Sequence, residues 1–292
     1  METNFLAGWD NENEEQDYKA LRNYQAYCGE QFLVEWADVR DQIYEEAKLH
    51  KEWKIEHPLC DYTVAQTKTN GCVSYGVSAG IEDSLCLATQ KRKEVEVFRA
   101  CAPWLYGGYH NIIRGRPGSG GCSMSGMMRF IAEYGILPYD TQPKIYADGE
   151  VDWNKSAASW KKIFEKFGGE AEKFQIKVAK LPHNFDDVVA CLKAGYSIPY
   201  GTNKKLVLDK KTGFYFLSGS TMHCMEWAGY GEDGRPQTAD GSRFTYNKNS
   251  WLDGRGKQRL EDVKVQVNSN YFDAFVILDI ERTRKSNPNF GL

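Results

Sequence analysis

The spacing of apolar residues predicts helices in the first half of the chain. Helical patterns run from Cys72 to Leu87, from Met127 to Tyr134 and over Val151–Phe167. Residues 1–28 are acidic and carry little periodicity. An amphipathic helix is predicted from Phe32 to Trp53, because apolar residues recur there at steps of three or four, at Phe32, Trp36, Val39, Ile43 and Ala47.

After about Phe174 the pattern changes to short apolar or alternating runs, which are typical of strands. Turn residues separate these runs, which are Phe174–Val178, Ile198–Tyr200, Gly213–Leu217, Cys224–Tyr230, Phe244–Asn247 and Phe275–Ile280. One helix, Asp186–Leu192, is predicted among them. Helices followed by mainly antiparallel strands indicate an α+β fold.

The composition fits a folded protein of ordinary chemistry. The 292 residues are 41% hydrophobic and 13% aromatic, enough for one large domain or for two lobes around a shared cleft. A net charge of -3 gives no reason to expect nucleic acid as a partner. No apolar run approaches the ~18 residues of a membrane span. Residues 1–17 lack a basic stretch followed by an apolar one, so we expect a cytoplasmic protein without a secretory signal.

The eight cysteines are expected to be reduced thiols, most of them packed as small hydrophobic residues. The chain has no export signal, has no Cys-x-x-Cys and is large enough to fold without disulfide bonds. The five histidines show no metal-type spacing, so we expect no metal site.

Cys72 is a candidate nucleophile. It follows Asn70-Gly71 and begins a predicted helix, whose positive end would lower the pKa of its thiol. The alternative is an inert buried cysteine, so Cys72 needs partners. Gln66, upstream of it, offers a side-chain amide that could donate to an oxyanion together with the backbone N–H of Cys72.

His223 and Asn249 are candidate partners of Cys72. His223 begins an apolar strand that ends in a Gly-Tyr-Gly turn. Asn249 could orient the imidazole of His223, and Trp251 could cover that bond from water. A base oriented by a third group is the general logic of a catalytic triad, although a lone histidine is more often structural.

Four motifs in order resemble those of the papain-like cysteine peptidases. They are the spacing of Gln66 and Cys72, His223 followed by Gly229-Tyr230-Gly231, the string Lys248-Asn249-Ser250-Trp251, and Ile131–Ile136 after the glycine-rich Gly118–Cys122. The resemblance covers roughly residues 58–282. It implies an α+β, papain-like, two-lobed fold, in which a helical lobe carries Cys72 and an antiparallel β-rich lobe carries His223 and Asn249.

The resemblance also implies domain limits and roles. A helical lobe would span residues 58–174 and a β-rich lobe residues 175–282, with an N-terminal extension of residues 1–57 and a tail of residues 283–292. Cys72 would attack a peptide carbonyl, His223 would transfer the proton, Asn249 would orient His223, and Gln66 would hold the oxyanion. The residues implied to contact a peptide or protein substrate are Gly120, Gly121, Cys122, Met124 and Trp251.

Three positions depart from the family pattern. Val73 stands where an aromatic residue usually follows the nucleophile, and Thr69-Asn70-Gly71 stands where the family has Cys-Gly-Ser. Arg255 replaces a tryptophan after the Asn-Ser-Trp string. These changes concern the lining of the groove and leave the reacting groups in place.

Two alternatives remain open at this stage. The fold could instead serve as a structural component of a larger assembly, such as a viral particle, held in homo- or hetero-oligomers by its termini. Residues 1–57 could inhibit the enzyme, with the helix Phe32–Trp53 over the cleft. They could equally form a helix packed permanently on the outside of the domain.

Overall fold

The computed structural model describes residues 9–28, 31–49, 52–55, 70–91, 93–115, 120–139, 157–233, 243–250 and 254–282. Most of the helices precede a mainly antiparallel sheet. The predicted α+β class is therefore confirmed.

Long helix α3 lies at the centre of the helical part. It is buried along most of its length and packs against the strand that carries His223. The helices are α1 (Glu14–Cys28), α2 (Trp36–Leu49), α3 (Cys72–Gln90), α4 (Ala102–Gly108, continued by the π-helical turn Tyr109–Ile113), α5 (Met124–Tyr134), α6 (Ala157–Ala171), α7 (Phe185–Lys193) and α8 (Leu260–Val267).

The described strands form one sheet in the order β1-β2-β7-β3-β4-β5-β6. They are β1 (Leu33–Val34), β2 (Phe174–Lys180), β3 (Ile198–Asp209), β4 (Phe214–Glu232), β5 (Arg243–Asn249), β6 (Gly254–Arg259) and β7 (Phe272–Arg282). Neighbours are antiparallel except β1 and β2, and the start of β4 also pairs in parallel with β6.

Two glycines bring α3 close to this sheet. A Cβ atom on Gly76 would lie 2.8 Å from the Cys224 Sγ and 3.1 Å from the Met225 carbonyl oxygen. A Cβ atom on Gly80 would lie 3.0 Å from the Pro199 ring. Because real Cβ atoms essentially never approach within 3.0 Å, Gly76 sets the separation between the first turns of α3 and β4.

Several elements differ from the sequence expectation. The helix predicted from Phe32 begins at Trp36, after the short strand β1. The predicted runs Gly213–Leu217 and Cys224–Tyr230 belong to the single strand β4. The middle of this strand is exposed and polar, so the apolar pattern did not show that the strand is continuous. Helices α1, α4 and α8 and strand β6 were not predicted. Of the helix predicted over 151–167, residues 151–156 lie outside the described residues.

Helix α2 packs on α7. The Trp36 indole nitrogen, the Arg40 guanidinium and the Tyr44 hydroxyl all bond to the Asp187 carboxylate, at 3.0, 3.2 and 2.8 Å. The adjoining strand β1 pairs with β2. This part of the N-terminal extension is thus joined to the sheet and to α7.

The expectation that the cysteines are reduced is wrong for Cys86, which is disulfide-bonded in the structure. Its partner is none of the five cysteines that follow. The side chains of Cys72, Cys101, Cys122, Cys191 and Cys224 are buried and form no disulfide bond. The spacing of the cysteines did not reveal this bond, because disulfide partners are set by the fold rather than by sequence separation. Among the described helices, none has the length and apolar character needed to cross a membrane.

Candidate active site

Cys72 is the first residue of α3 and is fully buried. The preceding Gly71 has no side chain to cap the helix, while the Ser74 hydroxyl donates to the Gly71 carbonyl oxygen at 2.8 Å. The first backbone N–H groups of a helix carry a partial positive charge. Such a position favours the thiolate of a cysteine over its thiol, which is the form that acts as a nucleophile.

His223 and Asn249 are joined by a buried hydrogen bond. The His223 Nε2 lies 2.9 Å from the Asn249 Oδ1, and both residues are fully buried. Because a carboxamide oxygen only accepts, Nε2 carries the proton and donates it, which fixes the ring tautomer. Burial lowers the pKa of His223 to about 4, although the bond to Asn249 raises it. His223 is therefore neutral at pH 7.

The strand that carries His223 also faces the beginning of α3. Cys224, the next residue, lies against Gly76, one turn after Cys72. Burial raises the pKa of the Cys224 thiol, and the neighbouring Cys72 raises it further. Cys72 and His223 are thus carried on elements in direct contact.

The loop expected to contact substrate lies beside Cys72. Gly120 accepts hydrogen bonds from the Tyr106 hydroxyl at 3.1 Å and from the His110 Nε2 at 3.0 Å. The Cys122 sulfur lies 3.6 Å from the same nitrogen. Since Nε2 donates its proton to Gly120, it does not act as a base for the Cys122 thiol. Burial and the neighbouring Cys72 raise the pKa of Cys122, so it stays a neutral thiol.

Met124 follows this loop and is fully buried. Its sulfur lies 3.4 Å from the Cys224 Sγ, which joins the loop side of the site to β4. Gly121 lies between these contacts in the described chain. Gln66 and Trp251 lie outside the described residues, so their expected roles stay predictions.

A segment that the sequence did not single out crosses this region. Asp10 donates its backbone N–H to the Cys122 carbonyl oxygen at 3.0 Å, next to a parallel bridge between Trp9 and Cys122. The Trp9 ring lies against Gly201, where an added Cβ would be only 2.5 Å from it. Gly201 pairs with Cys224 on the adjacent strand. Residues 9–12 thus connect the loop expected to contact substrate to the strands beside His223.

Two buried acids anchor this segment. Glu14 accepts from the backbone N–H groups of Met124 and Ser125, at 2.7 and 2.9 Å, and from the Ser125 hydroxyl. Asp17 accepts from the Ser123 hydroxyl and, at 2.8 Å, from Arg114. Both acids therefore satisfy donors at the N-terminal end of α5, where negative charge is favoured.

Glu14 belongs to a cluster with Lys180 and Asp273. The Lys180 Nζ lies 3.4 Å from Glu14 and 3.0 Å from Asp273. Burial and then the charge of Asp273 raise the pKa of Glu14 to about 8, while Lys180 and the Ser125 hydroxyl oppose this. Glu14 is thus sensitive to pH near neutrality. No group of His, Cys, Asp or Glu side chains in the described part of the chain could hold a metal ion.

Comparisons with known proteins find similarity at the level of structure. No family model and no curated protein sequence matches the chain. Xylellain, a cysteine protease from Xylella fastidiosa, matches with a TM-score of 0.50 and 15% identity over 81% of this chain and 93% of that one. SERA5E from Plasmodium falciparum gives 0.52 and 15% over 81% and 98%. Procathepsin B from Trypanosoma congolense gives 0.51 and 16% over 77% and 75%.

The order of helices and strands, the packing of α3 on the sheet and these structural matches agree with one another. The chain has the α+β fold of the papain-like cysteine proteases, at low sequence identity to them.

Proposed function

We propose that this protein hydrolyses peptide bonds in a peptide or protein substrate, with Cys72, His223 and Asn249 as its catalytic triad. The observation that carries the proposal is the buried 2.9 Å hydrogen bond between His223 and Asn249. His223 lies on β4, and this strand contacts the beginning of α3. A papain-like fold supports the same reading. Because fold alone does not imply function, the proposal rests on the side chains.

The proposed reaction is acyl transfer. The Cys72 sulfur gives its proton to His223 and attacks the carbonyl carbon, whose π electrons move to the oxygen. The Cys72 backbone N–H and Gln66 hold the oxyanion. His223 protonates the leaving amine as the carbon–nitrogen bond breaks. Water, deprotonated by His223, then releases the acid from the thioester. This chemistry uses no cofactor.

We propose further that residues 9–12 close the site and must move before a substrate binds. The Asp10 backbone N–H bonds to the Cys122 carbonyl oxygen, and the Trp9 ring covers Gly201. A peptide in the cleft would contact both of these groups. In the closed state His223 is neutral because it is shielded from water. Displacement of the segment would hydrate His223 and raise its pKa toward the usual value, which favours a thiolate–imidazolium pair.

The experiment compares the hydrolysis of a denatured protein substrate by the wild type, Cys72→Ala and His223→Ala. We expect activity in the wild type and at least about a 10³-fold loss in either variant. Equal hydrolysis by the Cys72→Ala variant would overturn the proposal, since another group would then be responsible.

The role of residues 9–12 is tested with Trp9→Ala, and Trp36→Ala is its matched control. Both remove a tryptophan from the N-terminal extension, but Trp36 bonds to Asp187 on α7 rather than lying near Cys122. We expect Trp9→Ala to raise peptidase activity about tenfold or more and Trp36→Ala to leave it unchanged. An equal response of both variants would show that the closing role is wrong.

One observation favours a second function. Cys72, His223 and Asn249 are all fully buried, which suits a papain-like fold retained as a structural component of an assembly such as a virus particle. In that case the protein would form a stable homo- or hetero-oligomer and lack hydrolysis even as Trp9→Ala. Light scattering of the wild type, combined with the activity measurement, separates the two functions.

The expected cytoplasmic or virion location stays a proposal. The disulfide bond at Cys86 weighs against a reducing compartment, whereas disulfide bonds persist on particle surfaces. Thiol counting on protein purified without reductant, under denaturing conditions, tests whether Cys86 is oxidised.

A further inference from the structure

A buried ionic cluster lies beneath the candidate site. Asp83 is fully buried, and both its carboxylate oxygens lie 2.7 Å from the Arg255 Nη2. The Lys248 Nζ lies 2.9 Å from the Glu82 Oε2, with both side chains more than nine-tenths buried. The cluster consists of Glu82, Asp83, Glu226, Lys248 and Arg255.

The members of this cluster come from every element that carries a triad residue. Glu82 and Asp83 lie on α3, about three turns after Cys72, and Asp83 is on the same side of the helix as Cys72. Glu226 lies on β4, which carries His223, and Lys248 precedes Asn249 on β5. Arg255 lies on the neighbouring strand β6.

The strand register aligns three of these side chains. Glu226 pairs with Lys248, and Lys248 pairs with Arg255. Burial and then the charge of Asp83 raise the pKa of Glu226, while Arg255 and Lys248 oppose this. Burial also raises the pKa of Glu82, to about 7, while the charge of Lys248 opposes this. Arg99 is a further charge that acts on Glu82.

A buried cluster of opposite charges is sensitive to geometry. Two charges removed from water are compensated only when their hydrogen bonds are well aligned. The planar guanidinium presents its donors in fixed directions, unlike the flexible ammonium of lysine. A displacement of α3 relative to β6 would therefore separate Asp83 from Arg255.

We propose that Asp83 and Arg255, together with Glu226, are positioning residues that fix α3, and with it Cys72, relative to the strands that carry His223 and Asn249. The proposal rests on the proposed peptidase function for its role in catalysis. None of the three residues touches a substrate. They act by holding the catalytic side chains in register, where a shift of about 1 Å can cost up to 10²-fold in rate.

The decisive variant is the double substitution Asp83→Leu with Arg255→Met. Apolar replacement of both members of a buried ion pair often leaves folding intact, because no charge remains unpaired. Asp233→Leu with Arg259→Met is the matched control. It removes another aspartate–arginine pair, 2.7 Å apart and also anchored on β6, that does not involve α3.

Three readouts are used on each variant in the full chain with Trp9→Ala as background. Thermal unfolding reports folding. The rate at which iodoacetamide alkylates Cys72, followed against pH, reports the nucleophile. The ¹⁵N chemical shifts of the His223 ring report its tautomer and its bond to Asn249, and this readout needs no peptidase activity.

We expect the double variant to unfold near the wild-type temperature and to alkylate about tenfold more slowly, with changed His223 shifts. The control should change neither rate nor shifts. A double variant with wild-type stability, rate and shifts would overturn the proposal, since the pair would then not be needed to position Cys72 or His223. Wild-type Cys72 that never reacts would instead overturn the proposed function, while the His223 shifts would still decide the positioning role.

A second variant covers the case in which the double variant does not fold. Arg255→Lys keeps the charge and loses the fixed direction of the donors. We expect folded protein with alkylation slowed several-fold and kcat reduced more than KM is raised. Unchanged alkylation and kinetics in Arg255→Lys would contradict the proposal.

Discussion

The structure contains two buried clusters of charged side chains, one at the entrance of the site and one beneath it. Each cluster has more carboxyl groups than basic side chains. The entrance cluster joins Glu14, Lys180 and Asp273 and ties the N-terminal segment to α5, β2 and β7. The lower cluster, built around Asp83 and Arg255, ties α3 to the strands.

The difference lies in what each cluster connects. The entrance cluster holds the segment that we propose to compete with substrate, and the pKa of Glu14 in this cluster is raised to about 8. The lower cluster joins the three elements that carry triad residues to the neighbouring strand β6. The comparison teaches that similar buried charges can serve a reversible contact in one place and a permanent one in another.

The largest expected effect concerns stability when the lower cluster is broken on one side. Asp83→Leu alone leaves Arg255 buried without its carboxylate, and such a change costs about 3–5 kcal/mol. The free energy of unfolding from urea titration measures it. Asp233→Leu should cost less than about 2 kcal/mol, because the Asp233 side chain is 17% exposed whereas that of Asp83 is fully buried. If both substitutions lower the free energy of unfolding equally, then the lower cluster stabilises the fold no more than the Asp233–Arg259 pair does.

A second prediction concerns the pH dependence of the entrance cluster. Glu14 binds its proton more tightly when buried, so docking of the segment is strongest below pH 4.5 and weakens as pH rises toward 8. The ratio of Cys72 alkylation in the wild type to that in Trp9→Ala should therefore rise with pH, about tenfold or more between pH 6 and 9.

Asp273→Asn tests the cause of this dependence. It removes the nearby charge that raises the pKa of Glu14, so the ratio should change less over the same pH range. Asp279→Asn, also on β7 but half-exposed and 3.7 Å from Lys93, is the control and should behave as the wild type. If the ratio of Cys72 alkylation in the wild type to that in Trp9→Ala does not change with pH, then Glu14 does not control the docking of residues 9–12.

The smallest expected effect is that of Glu226→Gln. An amide resembles a neutral carboxyl group in shape, so the substitution should change the free energy of unfolding by less than about 1 kcal/mol at pH 7. Thermal unfolding measures it. A loss of several kcal/mol would mean that Glu226 is ionised in the folded protein.

The same contrast explains what could be predicted from the sequence. Helix α3 and most of the strands were predicted because apolar periodicity reports burial directly. Helix α1 was missed because its buried side includes Glu14 and Asp17, which a polarity pattern assigns to solvent. Strand β6 was missed because it is short and polar.

The candidate site divides in a similar way. Cys72, His223 and Asn249 were singled out by local motifs, and the structure provides the bond between the last two. Trp9 and the contact of Asp83 with Arg255 were not predicted, because pairings between distant parts of the chain depend on the fold. Arg255 was noted only as a departure from the family pattern.

The most direct test of the central claim is to map where an epoxide-type thiol inhibitor reacts with the Trp9→Ala variant, by mass spectrometry of its peptides. The account predicts one adduct, on Cys72, that forms at least about tenfold more slowly when His223 is replaced by alanine. Labelling spread over other cysteines, or a Cys72 that reacts only after the protein is denatured, would contradict it.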